Sequence, residues 1–147
     1  MREYPSQPLV GVGAVVWRGD EVLLVRRRHP PRRDRWSLPG GLQKLGETLF
    51  EAARREVREE TGVDIRVLGV ADVVDLIERD GAGGRIRYHY TLVDVVAVWL
   101  AGEAAAATDA DDAAWTDVAG LPRFRLWSET ERVILLARRK LPDLLSP

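Results

Sequence analysis

Three glutamates near the middle of the chain, Glu56, Glu59 and Glu60, are the residues whose type and spacing could do chemistry. On a helix Glu56 and Glu60 lie one turn apart, and Glu59 lies on the same flank. Arg55 can pair with Glu59 across one turn, whereas no cation stands one turn from Glu56 or Glu60. Converging carboxylates favour a bound Mg²⁺ or Mn²⁺ ion, and the absence of cysteine argues against a softer metal. A solvated acidic face is the alternative interpretation, and the spacing alone leaves both open.

The residues around these glutamates predict a single amphipathic helix. Thr48 and Glu51 have the spacing of a capping box at its start, and Gly62 suits a left-handed residue at its end. An apolar stripe runs along one side of the predicted helix and consists of Phe50, Ala53 and Val57. The helix can therefore pack on a core by one side while it presents the carboxylates on another.

The same residues belong to a longer motif. After Gly41 the chain places Glu47, then Arg55-Glu56-Val57, Glu59-Glu60 and Gly62-Val63. This order resembles the complete Nudix box, G-x5-E-x7-R-E-U-x-E-E-x-G-U, in which U is an aliphatic residue, and every fixed position is filled. The preceding Trp36-Ser37-Leu38-Pro39-Gly40 resembles the strand and turn that lead into that box. The order of predicted elements along the rest of the chain is also similar to that of the Nudix hydrolase family.

The resemblance implies a fold and a set of residue roles. The implied fold class is α/β (α+β), an α/β/α sandwich with a mixed β-sheet, the loop and helix of the box, and a C-terminal helix. The implied catalytic residues are the charged members of the box, namely Glu47, Arg55, Glu56, Glu59 and Glu60. Among them Glu47 would be the outer glutamate at the helix N-terminus, and Arg55 would hold the carboxylates in place. The last three glutamates and the carbonyl of Gly40 would be the metal ligands.

The resemblance also implies an activity, the Mg²⁺-dependent hydrolysis of a nucleoside diphosphate linked to another group, with Mn²⁺ as the alternative ion. The chain looks most similar to ADP-ribose pyrophosphatase-like bacterial members, which convert ADP-ribose to AMP and ribose 5-phosphate. The stretch Glu78-Arg79-Asp80-Gly81 lacks the proline that marks one ADP-ribose-cleaving group and the tyrosine that marks dinucleoside polyphosphate enzymes. A nucleoside triphosphate pyrophosphohydrolase that removes oxidised or non-canonical nucleotides is therefore an alternative. A non-catalytic nucleotide-sensing module is another, although it predicts an eroded box.

Length, charge and composition limit the classes of function. The chain has 147 residues and a formal net charge of −1, which predicts one domain over residues 1–147, with a loose tail at residues 1–8. The balanced charge predicts no nucleic-acid partner, and the absence of cysteine excludes disulfides and thiolate catalysis. With no signal segment or membrane span in the sequence, we expect no membrane partner and a cytoplasmic protein that acts on a small nucleotide. Homodimers are common in the family that the chain resembles, so the resemblance also makes a homodimer an expectation.

The rest of the pattern predicts the elements that position the box. The predicted strands occupy residues 10–17, 21–27, 65–76 and 85–100. Residues 101–114 are predicted to form a loop. Ser128 and Glu131 predict a second capping box, which opens a helix at residues 129–140. Tyr88 and Tyr90 are predicted to be core residues.

Residues outside the box could also reach the substrate. The loop at residues 28–35 could meet substrate phosphates through its arginines, among them Arg32, Arg33 and Arg35, or could simply be an exposed polar loop. His89 fits a half-exposed strand histidine as well as a substrate contact. Gly11 and Gly13 predict the close approach of another group to their strand, either a helix packed on the sheet or a nucleotide base.

An extra acidic metal ligand is implied by the resemblance in the loop at residues 101–114. Asp112 is the first candidate, followed by Asp109 and Asp111. An acidic surface loop is the competing interpretation.

Overall fold

Seven strands and two α-helices make up the part of the chain that the computed structural model describes, residues 2–27, 34–104 and 110–146. The strands are Leu9–Arg18 (β1), Glu21–Arg27 (β2), Trp36–Ser37 (β3), Gly40–Leu42 (β4), Asp64–Arg79 (β5), Ile86–Ala101 (β6) and Ala110–Asp117 (β7). The helices are Leu49–Thr61 (α1) and Ser128–Leu145 (α2), with a 3₁₀ segment at Val118–Phe124.

The strands form one mixed sheet whose main path has the order β3-β2-β1-β6-β5. β1 runs parallel to β6, and the other pairings are antiparallel, including β4 on β1 and β7 on β2. The short strand β4 carries the two glycines that open the box, so the sheet itself places the start of the box beside the central strand.

The central strand β1 is covered by a helix on each face. Val15 and Trp17 are buried in a cluster with residues of α2, whereas Ala14 and Val16 are buried in a cluster with residues of α1. Successive side chains of a strand point to opposite faces, so a strand covered on both sides has a continuous apolar sequence. The structure therefore confirms the predicted α/β/α sandwich and its mixed sheet.

Helix α1 begins and ends where the sequence predicts. Thr48 is the N-cap, its side chain and that of Glu51 form the reciprocal capping box, and Gly62 ends the helix with a φ of 77°. The buried stripe differs in one position, because Phe50 is 38% exposed while Ala52 and Ala53 are fully buried. Ala52 and Ala53 pack in one cluster with residues of β1 and β6, and their small side chains let the helix backbone lie close to the sheet.

Helix α2 differs from the prediction at both ends. Trp127 is the N-cap and has no side-chain cap hydrogen bond, so the capping box predicted from Ser128 and Glu131 is wrong. The helix also continues past residue 140 through Pro142 to Leu145, because Leu141 is buried and adds apolar contact that offsets the hydrogen bond lost at the proline. Within the described ranges, no helix is long and apolar enough to cross a membrane.

Two predicted boundaries in the second half of the chain are also corrected. The predicted loop at residues 101–114 is wrong at its end, because residues 110–114 belong to β7 and pair with β2. Strand β5 continues to Arg79, three residues beyond the prediction, because its backbone keeps pairing with β6.

The N-terminal residues contact the hairpin of β5 and β6. The amide of Tyr4 donates to the carbonyl of Arg87 at 2.8 Å, and its hydroxyl donates to Asp80 at 2.6 Å. Glu3 forms an ion pair with Arg87 at 3.4 Å. The segment expected to be a loose tail therefore includes two residues that are held on the hairpin.

The two helix starts provide a matched test of the capping interaction. Replacing Thr48 by alanine removes a side-chain acceptor that the structure shows in use, and we expect it to lower the free energy of unfolding by about 1 kcal/mol. Ser128→Ala should lower it by less than about half that amount, because Ser128 is already inside the helix. Urea denaturation of both variants would measure the difference. Equal losses would contradict this account of the two helix starts.

Candidate active site

The site is built on the backbone of two glycines in β4. Gly40 pairs with Gly13 and Gly41 pairs with Val12 of β1. A Cβ atom on Gly40 would overlap the carbonyl of Val12, and one on Gly41 would lie 2.5 Å from the carboxyl carbon of Glu56. Backbone atoms leave no room for a side chain at Gly40, which therefore needs glycine, whereas a side chain at Gly41 would displace the carboxylate of Glu56. This close approach brings the backbone of β4 directly against the acidic flank of α1.

Two carboxylates of α1 converge on these glycines. Glu60 is 2% exposed, and one of its oxygens accepts a hydrogen bond from the amide of Gly40 at 2.7 Å. The carboxylate of Glu56 occupies the space beside Gly41. Burying a carboxylate costs free energy unless hydrogen-bond donors or a cation compensate its charge. The surface where these carboxylates of α1 meet β4 is therefore suited to a positively charged ligand.

Arg55 holds the acidic residues in position from one side. Its guanidinium donates to both oxygens of Glu47, at 2.6 and 2.9 Å, and to the carbonyl of Leu42 at 3.0 Å. It also donates to Glu56 at 2.7 Å and to Glu59 at 3.2 Å. A guanidinium has five N–H groups, and these five contacts account for them. Arg55 is therefore a positioning residue, because it holds Leu42 and Glu47, which precede the helix, against the helix itself.

The hydrogen bonds of this arginine change the proton affinities of its partners. Hydrogen bonding from the Arg55 side chain, followed by that from the amide of Lys44, lowers the pKa of Glu47 from 4.5 to about 2. Hydrogen bonding to Glu47 in turn raises the pKa of Arg55 above its ordinary value. Both groups are therefore charged over the whole physiological range of pH.

The environment of Glu56 corrects one inference from helical spacing. Helical spacing predicts no cation one turn from Glu56. Instead, Arg55 reaches its sequence neighbour Glu56, because the arginine side chain lies between the helix and β4 rather than along the helix surface. Glu51 accepts from the amide of Thr48 in the capping box.

The oxygen atoms that meet between α1 and β4 fit a hard divalent cation. Carboxylate and carbonyl oxygens are the ligands that Mg²⁺ and Mn²⁺ prefer, and Mg²⁺ is commonly held by one or two carboxylates together with phosphates and water. Among the described residues, no three acidic or histidine side chains stand close enough to form a complete cage. Glu56 and Glu60 meet at β4, whereas Glu59 is 49% exposed and turned toward Arg55.

Asp112 is the one acidic candidate of the segment 101–114 whose side chain the structure describes. Asp112 is an exposed residue of β7 opposite Arg26 of β2, and its carboxylate accepts from the amide of Ala113 at 2.8 Å. Asp109 and the side chain of Asp111 lie outside the described residues. The carboxylate of Asp112 therefore makes no contact with the described residues of the box.

The basic candidates outside the box have varied positions. Arg32 and Arg33 lie outside the described residues, and the exposed Arg35 donates to the carbonyl of Arg125 at 3.3 Å. His89 is half-buried in β6, opposite Ile77 of β5.

A cavity of about 90 Å³ opens next to the glycines of the box. One water needs roughly 10–15 Å³ of such space, so the cavity admits a group of several heavy atoms. Its wall includes Gly41 and the aromatic residues Tyr90 and Trp127. Asp94 and Glu129 supply carboxylates to the same wall.

The sequence draws attention to only a few of the residues in the wall of this cavity. Gly11 and Gly13 lie in its wall, and a Cβ atom on Gly13 would overlap a carboxylate oxygen of Asp94. The groups closest to these glycines are side chains of the neighbouring strand β6, Leu92 and Asp94, rather than a helix packed on the sheet. Asp94 and Trp127 were not predicted as site residues, because they come from distant parts of the chain and belong to no local motif. The buried Tyr90 confirms its predicted core position and also borders the cavity.

The low pKa of Glu47 predicts how stability depends on pH. In the unfolded chain Glu47 binds a proton near pH 4.5, whereas in the folded protein it does so only near pH 2. Its contribution to stability is therefore complete above pH 4.5 and is lost as the pH falls toward 2. We expect wild type to be more stable than Glu47→Gln near pH 7, with the difference narrowing between pH 4.5 and 3. Urea denaturation at each pH would measure it, and a constant difference would contradict the ion pair.

The sequence of the chain is similar to those of known proteins. The NUDIX domain matches residues 7–140 of the chain. An ADP-ribose pyrophosphatase of Methanocaldococcus jannaschii is 34% identical over 117 residues, which cover 80% of this chain and 66% of that protein. The chain therefore spans slightly less than two thirds of that relative.

Solved structures show the same fold. A MutT NUDIX hydrolase from Burkholderia pseudomallei has a TM-score of 0.74 and 29% identity, covering 89% of this chain and 98% of its own. The NUDIX domain of Shewanella oneidensis NrtR, solved in complex with ADP ribose, has a TM-score of 0.71 and 26% identity, covering 92% of this chain and 90% of its own. With the family match over most of its length and the box assembled around Gly40 and Gly41, the chain belongs to the Nudix hydrolase family.

Proposed function

We propose that this chain hydrolyses the diphosphate linkage of a nucleoside diphosphate derivative in a reaction that depends on a divalent cation. The substrate that we propose is ADP-ribose, with AMP and ribose 5-phosphate as products. One observation carries the proposal: Gly41 borders both the Glu56 carboxylate and the cavity. A ligand that places its nucleoside end in the cavity would have its phosphates at the carboxylates.

The cation in this proposal is Mg²⁺, with Mn²⁺ as an alternative, held by the carbonyl of Gly40 and the carboxylates of Glu56 and Glu60. When bound, such a cation neutralises the charge of the diphosphate and lowers the pKa of a coordinated water. The position of Asp112 on β7 gives no support for a role in this set.

The side chains of the box have separate tasks in this scheme. Arg55 and Glu47 fix the acidic flank without touching the substrate, since their charges are satisfied by each other. Glu60 accepts a hydrogen bond from the amide of Gly40, and this contact fixes the distance between α1 and β4. Glu59, at 49% exposure, is the carboxylate that water reaches most readily, and we assign it the acceptance of the proton from the attacking water.

Two further observations support ADP-ribose as the substrate. The relative from Methanocaldococcus jannaschii carries the name ADP-ribose pyrophosphatase, and the Shewanella oneidensis domain was solved with ADP ribose. The cavity wall also combines the aromatic rings of Tyr90 and Trp127 with the carboxylates of Asp94 and Glu129. Aromatic faces accept a planar base, and carboxylates accept hydrogen bonds from an exocyclic amino group.

The proposal is tested by replacing the anchored carboxylate with its neutral isostere. Glu60→Gln keeps an oxygen that can accept from the Gly40 amide but removes the negative charge, so the fold should persist. We expect kcat/KM for ADP-ribose with Mg²⁺ to fall by about two orders of magnitude or more. The matched control is Glu51→Gln on the same helix, where glutamine still serves the capping box, and its activity should be close to that of wild type.

The substrate is decided by assaying wild type on a panel with chromatography of the products. The panel contains ADP-ribose, NADH, diadenosine polyphosphates, the common nucleoside triphosphates and 8-oxo-dGTP. The highest kcat/KM for ADP-ribose is expected. A higher value for 8-oxo-dGTP or another triphosphate would replace the substrate but keep the hydrolase. Nucleotide binding without turnover of any compound would contradict the hydrolase and favour a sensing module.

A further inference from the structure

The wall of the cavity beside Gly41 carries negative charge. Two of its side chains are carboxylates, Asp94 and Glu129, and among the described residues that line it none is a lysine, an arginine or a histidine. Most of the remaining wall consists of glycines and apolar side chains, together with the rings of Tyr90 and Trp127. Charges interact strongly in such surroundings, because little water is present to screen them. The charge of the wall therefore affects which base the cavity accepts.

Asp94 is the more deeply buried of the two carboxylates. It is 8% exposed and lies on β6 directly opposite Gly13 of β1. Gly13 provides the space that the carboxylate fills, because a Cβ atom there would overlap one of its oxygens. A carboxylate has about four lone-pair sites, so Asp94 can accept from the protein and from a ligand at the same time. The burial of its charge costs free energy that a cationic ligand would offset.

Glu129 is more exposed and already has a counter-ion. Its side chain is 40% exposed, and the Nε of Arg132 donates to it at 2.6 Å. The same guanidinium pairs with Asp72 of β5 at 2.8 Å. Arg132 is therefore shared between two of the more exposed carboxylates, and Asp94 is the wall residue whose position suits the charge of a ligand.

We propose that the cavity selects a nucleobase that carries a positive charge, such as adenine methylated on N1. The ring of that base is cationic at neutral pH, whereas the ring of unmodified adenine is neutral. A hydrogen bond to a carboxylate is stronger when the donor is also charged. The faces of tyrosine and tryptophan rings attract cations as well. The carboxylate and the aromatic rings of the wall therefore both favour the cationic base over the neutral one.

The substrate class that follows is a nucleoside diphosphate derivative whose base is alkylated on a ring nitrogen and cationic. This inference rests on one part of the proposed function, the placement of the nucleoside end of the substrate in the cavity. The bond that is cleaved and the residues that act on it remain those proposed above, because only the base differs. We expect ADP-ribose methylated on N1 of its adenine to have a lower KM than ADP-ribose, with a similar kcat.

Two isomeric ligands separate the effect of charge from that of size. At neutral pH 1-methyl-AMP has a cationic base, whereas N6-methyl-AMP has the same heavy atoms and a neutral base. Calorimetric titration of wild type should give a dissociation constant for 1-methyl-AMP about tenfold or more below those for AMP and N6-methyl-AMP. Equal affinity for the two isomers, or no binding of 1-methyl-AMP, would overturn the proposal.

Replacing Asp94 tests whether its charge causes the preference. Asp94→Asn keeps the size of the side chain and an acceptor oxygen but removes the charge, so the three dissociation constants should become similar. Asp143→Asn makes the same change at an exposed position of α2 and should keep the wild-type preference. A preference for 1-methyl-AMP that persists in Asp94→Asn would overturn the proposal. The comparison of the two isomers uses wild type, so it remains decisive even if Asp94→Asn fails to fold.

The outcomes also separate this inference from the proposed function. Hydrolysis of ADP-ribose together with equal affinity for the two isomers would keep the hydrolase and overturn the selection of a cationic base. Tighter binding of 1-methyl-AMP without hydrolysis of any diphosphate would keep the selection of a cationic base and contradict the hydrolase.

Discussion

The close approach between the backbone of β4 and the carboxylates of α1 is the contact on which the rest of the site depends. Gly40 donates to Glu60, and Gly41 leaves the space that the carboxylate of Glu56 fills. Both contacts require the helix to lie against the sheet with no side chain between them. The alanines on the buried side of α1 and the pairing of β4 with β1 produce that distance. Arg55 then fixes the flank by using every N–H group of its guanidinium.

Local interactions explain which parts of the site the sequence predicts correctly. Thr48, Glu51 and Gly62 define the ends of α1 through contacts within one turn, and the structure confirms all three. The position of Arg55 could not be predicted in the same way, because helical spacing describes neighbours along the helix surface only. Its contacts with Glu47 and the carbonyl of Leu42 depend on where the box loop folds back.

The elements whose bounds are predicted wrongly from the sequence depend on tertiary contacts for their structure. Residues 110–114 are alanines and aspartates with little intrinsic preference for a strand, and they form β7 because they pair with β2. Helix α2 passes through Pro142 because burial of Leu141 outweighs the local preference of proline. The cavity joins β1, β6 and the start of α2 through residues such as Gly13, Asp94 and Trp127, which no local motif connects.

Anomalous diffraction tests most directly the proposed divalent-cation site of Glu56 and Glu60 at the glycines of β4. Crystals grown with Mn²⁺ should give an anomalous peak within about 2.5 Å of carboxylate oxygens of both residues, beside the backbone of Gly40. Glu60→Gln crystals treated in the same way should lose most of that peak, while the backbone of Gly40 and Gly41 keeps its position. A wild-type map with no anomalous peak between Glu56, Glu60 and β4, or with Mn²⁺ bound only elsewhere, would contradict the proposed cation site.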